Sequence, residues 1–453
     1  MKEIMGARES FGSKFGVIAA TVGSAIGLGN IWRFPYVAGE NGGGAFLLVY
    51  LSLIFAVGVP VMLSEFVIGR AAKQNAVGSF RTLAPGKLWY LVGFMGVAAA
   101  FMILAFYTAV AGWTLEYIYQ SLINGFAGKS PAELTLMFAE FTESSFRPVL
   151  WFFVFMALTA YIIFSGVKNG IEKSTKILMP LLFIILMILI VRSVTLPGAI
   201  EGIKFLFKPD FSKIDTNTVL VALGQSFFSL SVGMGTLITY ASYMPKENHL
   251  GSTAVAVAFT DLFIAILAGI AIFPAVFAFG IQPEAGTGLV FIALPNIFQQ
   301  MAGGFFFSLI FFVLLAVAAL TSTISLLEVI VAFFTEELQL TRRSATWVAT
   351  AVTSIFGVMA ALSGGPLSGV QLFGLNIFQL LEFTSANVLL PLGGLLIVLF
   401  LAWFYGRDRL KAELSNQGAL KVHYFGLFLF AIRFLAPLAI AFIFLREIGL
   451  IRI

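Results

Sequence analysis

The sequence predicts an all-α membrane protein of about eleven spans, two of them broken near the middle. Three observations carry that prediction. Of 453 residues, 60% are hydrophobic and only 11% are charged, against roughly 25% charged in a soluble domain. Apolar runs of about 20 residues or more, enough for a hydrocarbon core of about 30 Å, recur from end to end. Glycine-rich stretches interrupt two of those runs, at 21–35 (TVGSAIGLGNIWRFP) and 224–235 (GQSFFSLSVGMG).

In chain order the spans run roughly 14–38, 44–69, 88–123, 148–167, 172–193, 217–243, 251–280, 304–337, 343–363, 376–405 and 423–448. The charged start, MKEIMGARESFGSKFG, lacks a cleavable signal pattern, so the first apolar segment reads as a permanent span. The third and eighth spans are long enough to tilt or to project beyond the bilayer. Between spans, 124–147 is an acidic-leaning loop, and 194–216 carries Pro197 and Pro209. The stretch 281–303, with Pro283 and Pro295, reads as a folded lid.

Lysine and arginine crowd alternate loops, for example Arg70, Lys73, Arg81 and Lys87, then Lys168, Lys173 and Lys176, then Arg407, Arg409 and Lys411. The opposite loops hold mainly Lys129, Arg147, Lys204, Lys208 and Lys213. The positive-inside rule then puts the N-terminus in the cytoplasm of a multi-pass cell-membrane protein, and an odd span count puts the C-terminus outside.

Composition also excludes several functions. With no cysteine and only His249 and His423, disulfides, thiolate metal sites and cysteine chemistry are absent, and a histidine-based catalytic centre is not expected. The formal +5 charge lies in short loops and is no nucleic-acid signal. No Ser–His, Cys–His or metal pattern supports an intramembrane enzyme, and no organic cofactor is implied. A channel needs a continuous polar pore, whereas the polar residues here cluster at one depth beside bulky Tyr107 and Phe228.

The breaks carry the chemistry. Each glycine costs a helix about 1 kcal/mol relative to alanine, so Gly23, Gly27 and Gly29 favour unwinding. Freed carbonyls can hold a hard cation and freed N–H groups a carboxylate. Close helix packing is the competing reading for these glycines, but it leaves Asn30, Arg33 and Pro35 unexplained. In the second break Gln225, Ser229 and Ser231 alternate with Phe227, Phe228 and Leu230, ahead of Gly233 and Gly235. The eighth span holds Thr321, Ser322 and Thr323 in an apolar run, which could equally join helices. Asp261 is an acid within the seventh span, and an intramembrane carboxylate is expensive enough to suggest function.

Together these strings resemble the bacterial neurotransmitter:sodium symporter family, which has the LeuT fold. The specific stretches are GLGNIWRFP with ENGGGAF at 40–46, GQSFFSLSVGMGTLITYASY at 224–243, and ALTSTISLLE at 319–328. The resemblance implies a 5+5 inverted repeat in a single transporter domain, 1–193 against 217–405, with 423–448 additional and helices 1 and 6 discontinuous. Paired broken spans mark the binding site in secondary transporters of this fold, from which that rule was drawn.

The family implies sodium-coupled symport of an amino acid by alternating access, with two sodium sites. The first would use the Ala25 carbonyl, Asn30, Ser229, Asp261 and the substrate carboxylate. The second would use carbonyls of Gly23, Ile26 and Ala318 with the hydroxyls of Thr321 and Ser322. The substrate carboxylate would meet the N–H groups of Leu28 and Gly29 and the Tyr107 hydroxyl. Its ammonium would meet carbonyls near Ala25, Phe228 and Ser231. Ser24, Ile103, Phe228, Met234, Ser322 and Leu326 would line the side-chain pocket. Arg33 with Glu382 would gate the outside, and Arg8 with Glu336 the inside.

Both gate acids are Glu where the family often has Asp, and Phe11 stands where it often has Trp. Tyr243 and Ser242 match. Animal relatives have Asn at the Asp261 position and bind chloride nearby. Here the surrounding positions are Tyr50, Gln225, Ser229 and Ala265, so a carboxylate supplies the negative charge and transport is expected to be chloride-independent. Met234 and Leu326 favour a neutral hydrophobic or aromatic amino acid. The alternatives are another small amine or zwitterion, or a substrate-sensing receptor.

Overall fold

Backbone polar groups in hydrocarbon must be satisfied within their own segment. The apolar runs accordingly form helices in a computed structural model that describes residues 9–281, 288–447 and 449–450. The spans are α1 (Lys14–Ala25 and Gly29–Glu40), α2 (Gly44–Ala72), α3 (Tyr90–Leu122), α4 (Arg147–Phe164), α5 (Val167–Val194), α6 (Thr216–Ser229 and Thr236–Ser242), α7 (Leu250–Ala278), α8 (Gly304–Glu337), α9 (Arg342–Ala361), α10 (Ile377–Tyr405) and α11 (Phe425–Arg446).

Among the described residues nine helices are long and apolar enough to cross a bilayer, or ten if α1 is one bent span. The remaining expected span, 217–243, is α6. Its halves of 14 and 7 residues are each too short to cross alone. The long third and eighth spans hold 33 and 34 residues. At 1.5 Å per residue each is about 50 Å long and must exceed the hydrocarbon core or tilt within it. These two form the most extensive helix pair, and α1 and α6 lie against α8 beside them.

The connecting segments are more ordered than loops. The 124–147 stretch contains the helix Pro131–Glu143, started by a capping box between Ser130 and Glu133. The backbone N–H and hydroxyl of Ser130 hold the Glu133 carboxyl below the usual carboxylate range. The 194–216 stretch contains the helix Ala199–Phe207. Of the expected lid at 281–303, residues 282–287 fall outside the described ones. The rest forms a π-helical turn, Leu289–Ala293, and the helix Leu294–Gln300.

The all-α expectation needs one small correction. Two-residue strands β1 (Gln371–Leu372) and β2 (Leu375–Asn376) pair antiparallel before α10. Phe373 and Gly374 between them have φ of 55° and 77°, the double left-handed turn that suits the twist of a tight hairpin.

Candidate functional site

α1 unwinds later than its glycines suggest. Helix runs through Gly23 to Ala25, Ile26 is extended at φ −76° and ψ 112°, and the chain resumes as a π-helical turn at Gly29–Arg33. The two halves meet at 49°. Gly23 serves close packing instead: a Cβ there would lie 3.2 Å from Thr175 Cγ2 and 3.5 Å from Thr321 Cβ. The gap in α6 covers residues 230–235. Ser231, Gly233 and Gly235 take positive φ of 55°, 86° and 71°, so the glycines there do break the helix, whereas Gly224 stays within it.

Side-chain hydrogen bonds tie the two breaks together. Ser231 Oγ donates to the Ser24 carbonyl at 2.8 Å, and Gln225 Nε2 donates to the Gly29 carbonyl at 2.8 Å. Glu65 of α2 is fully buried, and its Oε1 accepts the Gly233 N–H at 2.7 Å. A carboxylate therefore props the unwound strand of α6 from behind.

Asn30, Ser229 and Asp261 converge into one knot. Asn30 Nδ2 donates to Asp261 Oδ1 at 2.8 Å and to Ser229 Oγ at 3.2 Å. Ser229 Oγ lies 2.9 Å from both carboxylate oxygens. All three residues are buried, Asp261 completely. Asn30 Oδ1 turns the other way and accepts the Gly27 N–H at 3.1 Å. Rotating the amide would exchange its oxygen for its nitrogen toward Asp261.

The second oxygen set is neutral. Thr321 Oγ1 donates to the Ala318 carbonyl at 2.9 Å and to the Ile26 carbonyl at 3.2 Å. This hydroxyl thus joins α8 to the carbonyl that the α1 break leaves free. Among the described residues no group of three or more His, Cys, Asp or Glu side chains could hold a metal. Carbonyls, hydroxyls and one carboxylate form a donor set for a hard cation such as sodium.

Between the two sets lies a cavity of about 20 Å³. Ser24, Ala25 and Gly29 of α1, Ile103 and Tyr107 of α3, Phe228, Ser231 and Met234 of α6, and Ser322 and Leu326 of α8 line it. Leu28 and Ser229 stand just behind. The Leu28 N–H is engaged by the Tyr107 hydroxyl at 2.8 Å. Ser24 Oγ, which borders the cavity, has no hydrogen-bond partner.

The expected gates differ in outcome. Arg33 and Glu382 form no direct ion pair, although Glu382 lies within electrostatic reach of the guanidinium. Arg33 instead sits 4.8 Å above the Phe228 ring, where the aromatic face attracts a cation. An exposed ion pair with Glu382 would be of similar strength. A space of about 110 Å³ beside Arg33, Phe228 and Asn387 opens on this side. At the other end Arg8 falls outside the described residues. Its proposed partner, Glu336, accepts the Asn75 N–H at 2.7 Å. Phe11 is buried there, edge-on to Tyr240 and Tyr243, and its N–H donates to the Tyr243 carbonyl at 3.2 Å.

The sequence reading missed Ser325 and Glu65 and took Gly27 only as a helix breaker. Gly27 and Ser325 line the cavity. A Cβ on Gly27 would meet Ser322 Oγ at 2.3 Å and Tyr107 Oη at 2.7 Å, so no side chain fits. Glu65 is an acid inside an apolar span, the same signal that singled out Asp261.

The comparisons agree on one group of proteins. A profile of the sodium:neurotransmitter symporter family matches residues 8–132 and 142–452. The chain is 40% identical over 439 residues to an uncharacterized sodium-dependent transporter of Bacillus subtilis, covering 97% of each. It is 32% identical over 432 residues to another from Methanocaldococcus jannaschii, covering 92% of this chain and 86% of that one. Among solved structures it is similar to MhsT in complex with L-phenylalanine, with a TM-score of 0.89 and 47% identity over 97% of this chain and 100% of that one.

Proposed function

The chain belongs to the sodium:neurotransmitter symporter family, and from that premise we propose that it imports a neutral hydrophobic or aromatic amino acid coupled to two sodium ions. It is a sodium-dependent membrane transporter with the LeuT fold, not an enzyme. The observation that carries the finer reading is the cavity itself. It lies between two broken helices, and its lining combines the hydroxyls of Ser24, Tyr107, Ser231 and Ser322 with apolar Met234 and Leu326. The L-phenylalanine in the similar MhsT supports the choice of substrate.

In this reading the substrate carboxylate completes the oxygen set of Ala25, Asn30, Ser229 and Asp261. Sodium and substrate then favour each other's binding thermodynamically. Asn30 must turn its Oδ1 from the Gly27 N–H toward the ion, which links ion entry to the backbone of the α1 break. Gly23, Ile26, Ala318, Thr321 and Ser322 hold the second ion. Each sodium entering down about 100 mV contributes roughly 2.3 kcal/mol before its concentration gradient is counted. Tyr107 and Phe228 close over the substrate, Arg33 and Glu382 meet in the outward-closed state, and Arg8 and Glu336 hold the inner side. The repeats 1–193 and 217–405 rock about the site, with the N-terminus cytoplasmic and the C-terminus outside.

Asp261 supplies the negative charge that must balance sodium in a low dielectric, so transport proceeds without chloride. The deciding experiment is uptake into proteoliposomes of the full chain with a panel of labelled amino acids. Sodium-driven uptake of phenylalanine-like substrates is expected, unchanged when gluconate replaces chloride. Absence of sodium-driven uptake for every neutral amino acid would overturn the substrate reading, and strict chloride dependence would overturn the role of Asp261.

A further inference from the structure

A groove on the lipid-facing side has the length and charge pattern of a bound lipid. Between α4 and α9 lies an apolar recess of about 800 Å³. Small side chains, Ala157 and Ala160 on α4 and Ala351 and Ser354 on α9, leave it room. It extends from Phe153 to Phe164 on one helix and from Trp347 to Val358 on the other. Each stretch is eleven residue steps, about 16 Å of helix. That is about half of a 30 Å hydrocarbon core, so the groove is one leaflet long.

One end is polar in a definite order. Phe164 and Trp347 meet there edge to face with centroids 5.3 Å apart. One turn before Trp347 comes Arg343, and just past Phe164 comes Lys168, both exposed. Among the described residues neither forms an ion pair or a hydrogen bond. Thr350, one turn further into the groove than Trp347, has a buried hydroxyl without a partner. Cation, aromatic rings and apolar trough follow one another, as do phosphate, glycerol region and acyl chain in a phospholipid.

We propose that the α4–α9 groove binds one anionic phospholipid. Its phosphate rests on Arg343 and Lys168, and an acyl chain fills the trough.

The test is native mass spectrometry of the full chain in mild detergent, titrated with dioleoyl-phosphatidylglycerol or dioleoyl-phosphatidylcholine. One phosphatidylglycerol should be retained in preference to phosphatidylcholine. Arg343→Gln and Lys168→Gln should each weaken phosphatidylglycerol about fivefold, the value of one surface cation, and leave phosphatidylcholine unchanged. Ala351→Phe, which fills the trough without altering charge, should weaken both lipids. Ala160→Leu serves the same purpose should that variant misfold, with thermal unfolding as the check. Loss on removing the cations but not on filling the trough would mean a surface headgroup contact only and would overturn the proposal. So would a dimer that filling the trough dissociates, or equal retention by every variant.

Discussion

The two oxygen sets flanking the cavity are built on opposite plans. Around Asp261, a buried carboxyl group accepts hydrogen bonds from Asn30 and Ser229, at 2.8 and 2.9 Å. Around Thr321 there is no charge, only a hydroxyl bridging the Ala318 and Ile26 carbonyls. A buried carboxylate without its neutralising partners is costly, so the first set should demand a cation strongly. The second offers only dipoles and should bind more weakly and release more readily. Each set reaches the cavity lining at one residue, Ala25 for the charged set and Ser322 for the neutral one, and the Thr321 hydroxyl of the neutral set joins α1 to α8.

Removing the charge tests this contrast most severely. Asp261→Asn keeps the shape and should lower sodium-driven uptake about 100-fold or more, in line with removing one partner of a buried ionic set. The sodium dependence of the residual transport, measured in proteoliposomes, is the readout. A milder loss than that of the neutral set would reverse the assignment of the strong site.

Thr321→Ala removes one neutral oxygen and should raise the sodium concentration for half-maximal uptake about tenfold, the worth of one hydrogen-bond-like contact. Substrate ranking should stay the same, because Thr321 is absent from the cavity lining. An altered ranking would mean that the two sets are not separable.

The smallest effect is expected at Met234, which belongs to neither set. Met234→Ala should favour larger over smaller amino acids about threefold, muted because methionine already adapts to different shapes. Competition uptake at fixed sodium measures it. Equal weakening of all substrates would assign Met234 to packing instead.

The legibility of these features in the chain was uneven. Asp261 and the hydroxyls of the eighth span stood out because polar groups in apolar runs are rare and expensive. The same argument applies to Glu65, which lies in an unbroken stretch of helix, Val59–Ala72, rather than in a glycine-rich interruption. Its partner, the Gly233 N–H, lies 168 residues away, and a contact so distant leaves no local pattern. Gly23 and Gly29 look alike in the chain, but the first stays helical against Thr175 and Thr321 while the second opens a π-helical turn. Glycine permits either outcome, and the neighbouring helix selects between them.

Composition and hydrophobic run length alone determined that this protein spans a membrane as helices, because lipid leaves the backbone no other partners than its own. The paired glycine-rich interruptions and the acid at 261 determined where polar chemistry had to lie. Three further features were decided only by tertiary structure: the α1 break at Ile26, the Asn30 amide set with its nitrogen on Asp261 and its oxygen on the Gly27 N–H, and Arg33 placed over Phe228 rather than on Glu382. Each is a choice between partners of similar strength, and which partner lies within reach depends on how distant helices pack.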